Sequence, residues 1–227
     1  MMTITPDQIV YCTRGALKLN ATIVFAWAVM AALTLVAHLS TRRLSEEISI
    51  SRWQNMMEVI VGGIRSQIRD ISGNSSGRYV PFVGTLFLFI FASNILAVVP
   101  GFHPPTSSLS TTAALAVCVF FAVPIFGVAA EGLFGYLRHY VQPTPLLLPF
   151  HIVGELSRTL ALAVRLFGNI MSGTLVSAIM LSVVPLLFPV FTDALGLLTG
   201  AIQAYIFAVL SMVYIASAAR AHKANRR

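Results

Sequence analysis

A chain of 227 residues, 57% of them hydrophobic and only 10% charged, lies far from the roughly 25% charged composition of soluble domains. A mean hydropathy of +0.83 points to an integral membrane protein, and the length suits a single membrane domain over residues 1–227. The net charge of +7 does not call for nucleic acid, because the basic residues gather in loops between apolar runs, where they set topology.

About 20 apolar residues cross a bilayer as a helix. The first such run, 20–39, follows Arg14 and Lys18 in the order of a signal peptide. It is longer than the roughly 7–15 residues of a signal core, and no small-x-small cleavage site follows, so a retained membrane helix is expected. Next comes "SRWQNMMEVIVGGIRSQIRDI", residues 51–71, with Trp53, Met56, Met57, Ile60, Ile64, Ile68 and Ile71 at helical spacing. Arg65, Arg69 and Asp70 fall elsewhere on the circle, which predicts an interfacial amphipathic helix. The loop "SGNSSG", 72–77, precedes a second span at 80–100, and a third follows at 111–131. Two longer segments, 146–184 and 188–219, exceed one crossing and must tilt or bend; Pro185 and Pro189 punctuate the turn between them. The expected fold is therefore all-α: five membrane-embedded helices plus one interfacial helix, the last two forming a long tilted hairpin. Cys12 and Cys118 stand alone, which leaves no disulfide framework or metal motif, and no cofactor is expected.

Arg42, Arg43, Arg52, Arg65, Arg69 and Arg78 precede the second span, Arg138 follows the third, and Arg220, Lys223, Arg226 and Arg227 end the chain. Five crossings would put all of these on one side, with no Lys or Arg in the opposite loops 101–110 and 185–189. The positive-inside rule then sets the C-terminus in the cytoplasm and the N-terminus outside.

Charges within spans face a protein interior or an aqueous cavity. On the fourth segment His151, Glu155, Arg158, Arg165, Asn169 and Ser172 all fall within roughly 80° of Arg165 at 100° per residue. Glu155 and Arg158, three apart, are within pairing reach; a structural ion pair and a channel lining both fit them. Arg165 has no acidic residue three or four positions away, so its counter-charge must come from another helix or another chain. On the fifth segment Thr192, Asp193, Gly196, Thr199, Gly200 and Gln203 form a second stripe within roughly 80° of Gln203. Gln203 suits a helix–helix hydrogen bond or an ion path, Asp193 a solvated turn or an entrance, His151 an interface or a relay. Glu131, at the end of the third span, suits a boundary charge or a lining group.

"LSRTLALAVRLFGN" (156–169) followed by "IQAYIF" (202–207) resembles subunit a of F-type ATP synthases. So do "YVPFVGTLFLFI" (79–90) and "SNILAVVPGFHPPTSSLSTTAALA" (93–116), and the likeness runs in order along nearly the whole chain. "HIVGELSR" and "SRWQNMMEVIV" look most like the N-type branch. The resemblance implies a non-catalytic stator subunit in a bacterial inner membrane. It would offer two ion half-channels to a ring of c subunits and couple H⁺ or Na⁺ movement to rotation. Partners implied are the c-ring, peripheral-stalk b subunits, the remaining synthase subunits and lipid. Arg165 matches the family's arginine, Gln203 its glutamine, and Asn169 the asparagine lining the ion path. Two positions depart from the pattern: Thr174 and Gly196 stand where many members carry Glu or His, which leaves Asp193 as the nearest ionisable candidate on its helix. Ser108, Ser110 and His151 are further departures. The runner-up is a stand-alone secondary transporter whose Arg165 binds an anionic substrate, although no internal repeat supports it. "NIMSGT" contains Ser172 without a G-x-S-x-G elbow, which speaks against an intramembrane hydrolase.

Overall fold

The computed structural model describes residues 10–14, 17–41, 52–72, 77–99, 101–132, 148–183 and 188–220. Strands β1 (Val10–Arg14) and β2 (Leu17–Asn20) pair antiparallel, with Cys12 opposite Leu19. The β-branched and aromatic residues of β1 favour a pleated strand. Helices α1 (Ala21–Thr41), α2 (Arg52–Ser72) and α3 (Val80–Leu96) follow. A 3₁₀ turn at Pro105–Ser107 leads into α4 (Leu109–Glu131). The chain then builds α5 (Leu148–Val183) and α6 (Phe188–Arg220).

This corrects the expected fold class in three respects. A β-hairpin precedes the first helix, so the chain is not all-α. Among the described residues only four helices, Ala21–Leu39, Leu109–Ala130, Pro149–Ser182 and Val190–Ala218, are long and apolar enough to cross a membrane. The run at 80–100 gives a helix of 17 residues, about 26 Å at 1.5 Å per residue, against a hydrocarbon core of about 30 Å. The chain turns at 97–99, where Ala97 N–H bonds back to Asn94 O. With four long apolar helices, a count of five crossings no longer places the two termini on opposite sides. Finally, α2 does not present its whole apolar face outward. Ile68 is buried, Ile64 and Ile71 pack on the same cluster, and Tyr205 on α6 donates to Gln67 Oε1 at 3.0 Å. That face serves the protein core as well as any surrounding medium.

α3 lies chiefly against α6, and α4 against both α5 and α6. The main core joins Leu86, Phe89 and Ile90 of α3 to Val119 of α4, Leu162 and Leu166 of α5, and Phe207 of α6. Val29 is α1's buried contribution to it, with Ala26 and Leu33 packed alongside; most of α1 is exposed, Trp27 and Leu35 included. A second cluster joins Ile68, Tyr79, Val83 and Val123 to Met212 and Ile215. Arg78 donates to Ala129 O at 3.2 Å, tying the start of α3 to the end of α4. At about 54 and 50 Å, α5 and α6 outrun a perpendicular crossing, and they pack against each other.

Candidate functional site

Leu162, Ala163 and Leu166 turn one face of α5 into the core, and the helical period sends Arg165 off that face. Arg165 is exposed, and no hydrogen bond or ion pair holds it among the described residues. A charge presented at the surface of an apolar helix is costly to leave without a counter-charge.

Toward the start of α5 and the end of α6 lies a cleft of about 290 Å³. His151, Glu155, Arg158 and Thr159 of α5 face Tyr214 and Ser217 of α6 across it, with Val119 and Phe120 of α4 behind. Arg158 Cζ stands 5.5 Å from the centre of the Tyr214 ring, a cation–π contact that holds the guanidinium to one wall.

A second cleft, of about 350 Å³, lies toward the other end of the same two helices. Asn169, Thr174 and Ser177 of α5 meet Thr192, Asp193 and Thr199 of α6 there, and Asn94 and Pro104 close one side. Ser177 Oγ donates to Asp193 Oδ1 at 3.2 Å and receives Thr192 Oγ1 at 3.4 Å. This chain of hydroxyls ends on Asp193, the one carboxylate lining the cleft among the described residues. Ser172 and Thr174 bond back to the Asn169 and Met171 carbonyls at 3.0 and 2.9 Å, so their hydroxyls are partly spent on their own helix.

The clefts do not meet. Along α5 the first reaches Thr159 and the second begins at Asn169, a gap of about 15 Å. Along α6 they are separated between Gly200 and Tyr214. Leu162, Leu166, Ala204 and Phe207 fill the interval with at most 1% of their surface exposed. Arg165 and Gln203 belong to that interval and line neither cleft. Gln203 is 6% exposed, and its buried Nε2 has no hydrogen-bond partner among the described residues. Arg165 could not satisfy it, since a guanidinium carries donors only.

The structure thus gathers Asn169 and Asp193 in one recess and His151, Glu155 and Arg158 in the other, while Ser172 sits exposed on α5 outside both. Glu131 closes α4, but its side chain lies outside the described residues, as do Arg42, Arg43, Arg138, Lys223, Arg226 and Arg227. Sequence reading passed over Tyr214, Ser177 and Asn94. Asn94 had a signal, a lone amide within an apolar run; Tyr214 and Ser177 had none beyond their helical register.

The family described as ATP synthase A chain matches residues 23–216. ATP synthase subunit a 2 of Acaryochloris marina is 56% identical over 224 residues, 99% of this chain and 96% of that protein. ATP synthase subunit a of Albidiferax ferrireducens is 53% identical over 98% of this chain and 96% of its own length. ATP synthase subunit a 1 of Chlorobaculum parvum is 56% identical over 96% of this chain and 97% of its own. A match of this extent, carried by an apolar multi-pass chain with a bare arginine between two recesses, leaves no place for the stand-alone transporter. The chain belongs to the ATP synthase A chain family, as a non-catalytic, multi-pass bacterial membrane subunit with the stator role that couples ion translocation to rotation.

Proposed function

We propose that the two clefts are separate ion half-channels and that Arg165 stands between them as the charge met by each carboxylate of a passing c-ring. The observation that carries this reading is the pair of recesses at either end of the α5–α6 pair, parted by a dry stretch that holds Arg165 and Gln203. An ion entering one recess would load onto a ring carboxylate, travel with the ring and leave by the other. Arg165 lowers the proton affinity of the arriving carboxylate, because an opposite charge favours the ionised form. It also repels cations that would leak directly from one recess to the other. Gln203 adds a buried donor for which a carboxylate is a suitable acceptor. Asn169 and Asp193 line the outer recess, with Asp193 in the role left vacant by Thr174 and Gly196. His151, Glu155 and Arg158 line the inner one. The basic tail, Arg220 to Arg227, supports a cytoplasmic C-terminus, which makes the His151 cleft the inner one in a bacterial inner membrane. The phrases at 51–61 and 151–158 support the N-type branch, and b subunits complete the stator. H⁺ and Na⁺ are both compatible with this scheme; protection of the ring carboxylate by one or the other names the ion.

Cysteine accessibility tests the two-path reading. In the assembled synthase, with Cys12→Ser and Cys118→Ser, a membrane-impermeant thiol reagent should modify Ser177→Cys from the outer side only. It should modify Ser217→Cys from the cytoplasmic side only, and Leu166→Cys from neither. Labelling of both outer and inner positions from one side would reject separate half-channels.

A further inference from the structure

We propose that Asn94 is a positioning residue: by seating Gly200 it fixes the turn of α6 that carries Gln203. This deepens, and rests on, the reading that Gln203 serves the Arg165 centre. Three observations meet here. Asn94 lies in the last turns of α3, 6% exposed, and both ends of its amide are engaged: Nδ2 donates to Gly200 O at 2.8 Å, and Oδ1 accepts from Thr106 Oγ1 at 3.3 Å. The two partners fix which way the amide points, since a carbonyl only accepts and Nδ2 only donates.

Gly200 is buried, and a Cβ built on it would come within 3.0 Å of Asn94 Cβ and 3.1 Å of both Cγ and Nδ2. A Cβ at this position would make Asn94 give by a few tenths of an ångström, moving the amide that bonds Gly200 O. Three residues further along α6 is Gln203, whose buried Nε2 has no partner among the described residues. Its position is therefore inherited from its helix rather than held by a bond from that nitrogen. Asn94 and Gly200 also mark where the outer cleft stops along α3 and α6. The contact thus sets both the inner limit of the recess and the place of the glutamine beyond it.

Asn94 could instead act as an ion ligand in the cleft wall, or simply stabilise the fold, and the three roles predict different kinetics. In the assembled synthase, Asn94→Ala should lower the maximal rate of ATP-driven pumping by about tenfold, less than the roughly hundredfold that a full 1 Å misplacement costs. The outer ion concentration at half-maximal ATP synthesis should stay unchanged. Gly200→Ala should act in the same direction through the opposite partner. In a Gln203→Leu background neither change should cost anything further, because residues acting through one group are not additive. A raised half-saturating concentration with an unchanged maximum would overturn the proposal in favour of an ion ligand. Full additivity with Gln203→Leu would overturn it in favour of fold stability. If one variant fails to assemble, the other and Thr106→Val, which removes only the second anchor, read the same coupling. Arg165→Ala run alongside separates the two levels. If that variant pumps, the half-channel reading fails; if it is inactive and the Asn94 effects are additive, the positioning role alone fails.

Discussion

Replacing Arg165 with alanine should separate stability from function, with opposite signs. The side chain is exposed and makes no hydrogen bond or ion pair among the described residues, so truncation breaks no internal contact of that kind. Leu162 and Leu166, which hold α5 in the core, are untouched. Alanine is the better helix former, and removing an arginine from a membrane segment relieves about 2.5–3.5 kcal/mol on insertion scales. The variant subunit should therefore insert and assemble at least as well as the parent. Coupling should vanish, because nothing else within the dry interval is charged. Two measurements in inverted membranes check both signs: the amount of subunit retained with the complex, and ATP-driven ion uptake. Arg165→Lys should fail as well, since an ammonium is a compact charge whose pKa falls on burial, whereas the guanidinium stays charged and spreads its donors over a plane. Coupled uptake near the parental rate in Arg165→Ala membranes would refute the reasoning, and so would loss of the subunit from the complex.

Gln203→Leu should slow ATP-driven pumping while leaving thermal stability unchanged or slightly higher, because an unpartnered buried donor is exchanged for an apolar group of similar size; a clear drop in melting temperature with normal pumping would contradict this. Asp193→Asn preserves an acceptor for Ser177 and removes only charge, so it should lower ATP synthesis about threefold at limiting outer ion concentration, the scale of a unit charge several ångströms away in water. The deficit should close as that concentration rises, and equal rates at every concentration would return Asp193 to the status of a solvated turn carboxylate.

Arg165 stood out in the sequence as a candidate because an ionised group in an apolar run has few inexpensive explanations, and the structure places it exposed on α5. The long apolar runs were legible for the same compositional reason, and four of them are helices long enough to cross. Apolarity does not reveal what covers a helix. The run from Val80 reads like a lipid-facing span, yet Val83, Leu86, Phe89 and Ile90 are buried by neighbouring helices, and the helix stops at Leu96. Ser93 and Asn94 were the visible exceptions within it, and both are buried. Likewise the spacing of Glu155 and Arg158 speaks only of reach along one helix. Tyr214, which the Arg158 guanidinium covers, arrives from α6, more than fifty positions on in the chain. The division of the polar stripes into two recesses was invisible for a related reason. Periodicity puts His151, Arg165 and Asn169 on one face, but the gap between the recesses is closed where Leu162 and Leu166 of α5 meet Ala204 and Phe207 of another helix.

The dry interval has an electrical consequence. With water in both recesses, as proposed, the insulating layer is thinner than the full hydrocarbon core of about 30 Å: Thr159 and Asn169 stand about 15 Å apart along α5, and the tilt of that helix makes their separation across the membrane smaller still. A given transmembrane voltage would then fall across at most half the distance, so the local field would at least double. A charge moved past this stretch gains nearly the whole of the potential, about 2.3 kcal/mol per 100 mV, over ten residues of helix. On the half-channel proposal, Leu162, Leu166, Ala204 and Phe207 would act as the dielectric of a thin capacitor, and their packing would set how sharply the voltage is applied to the proposed ring.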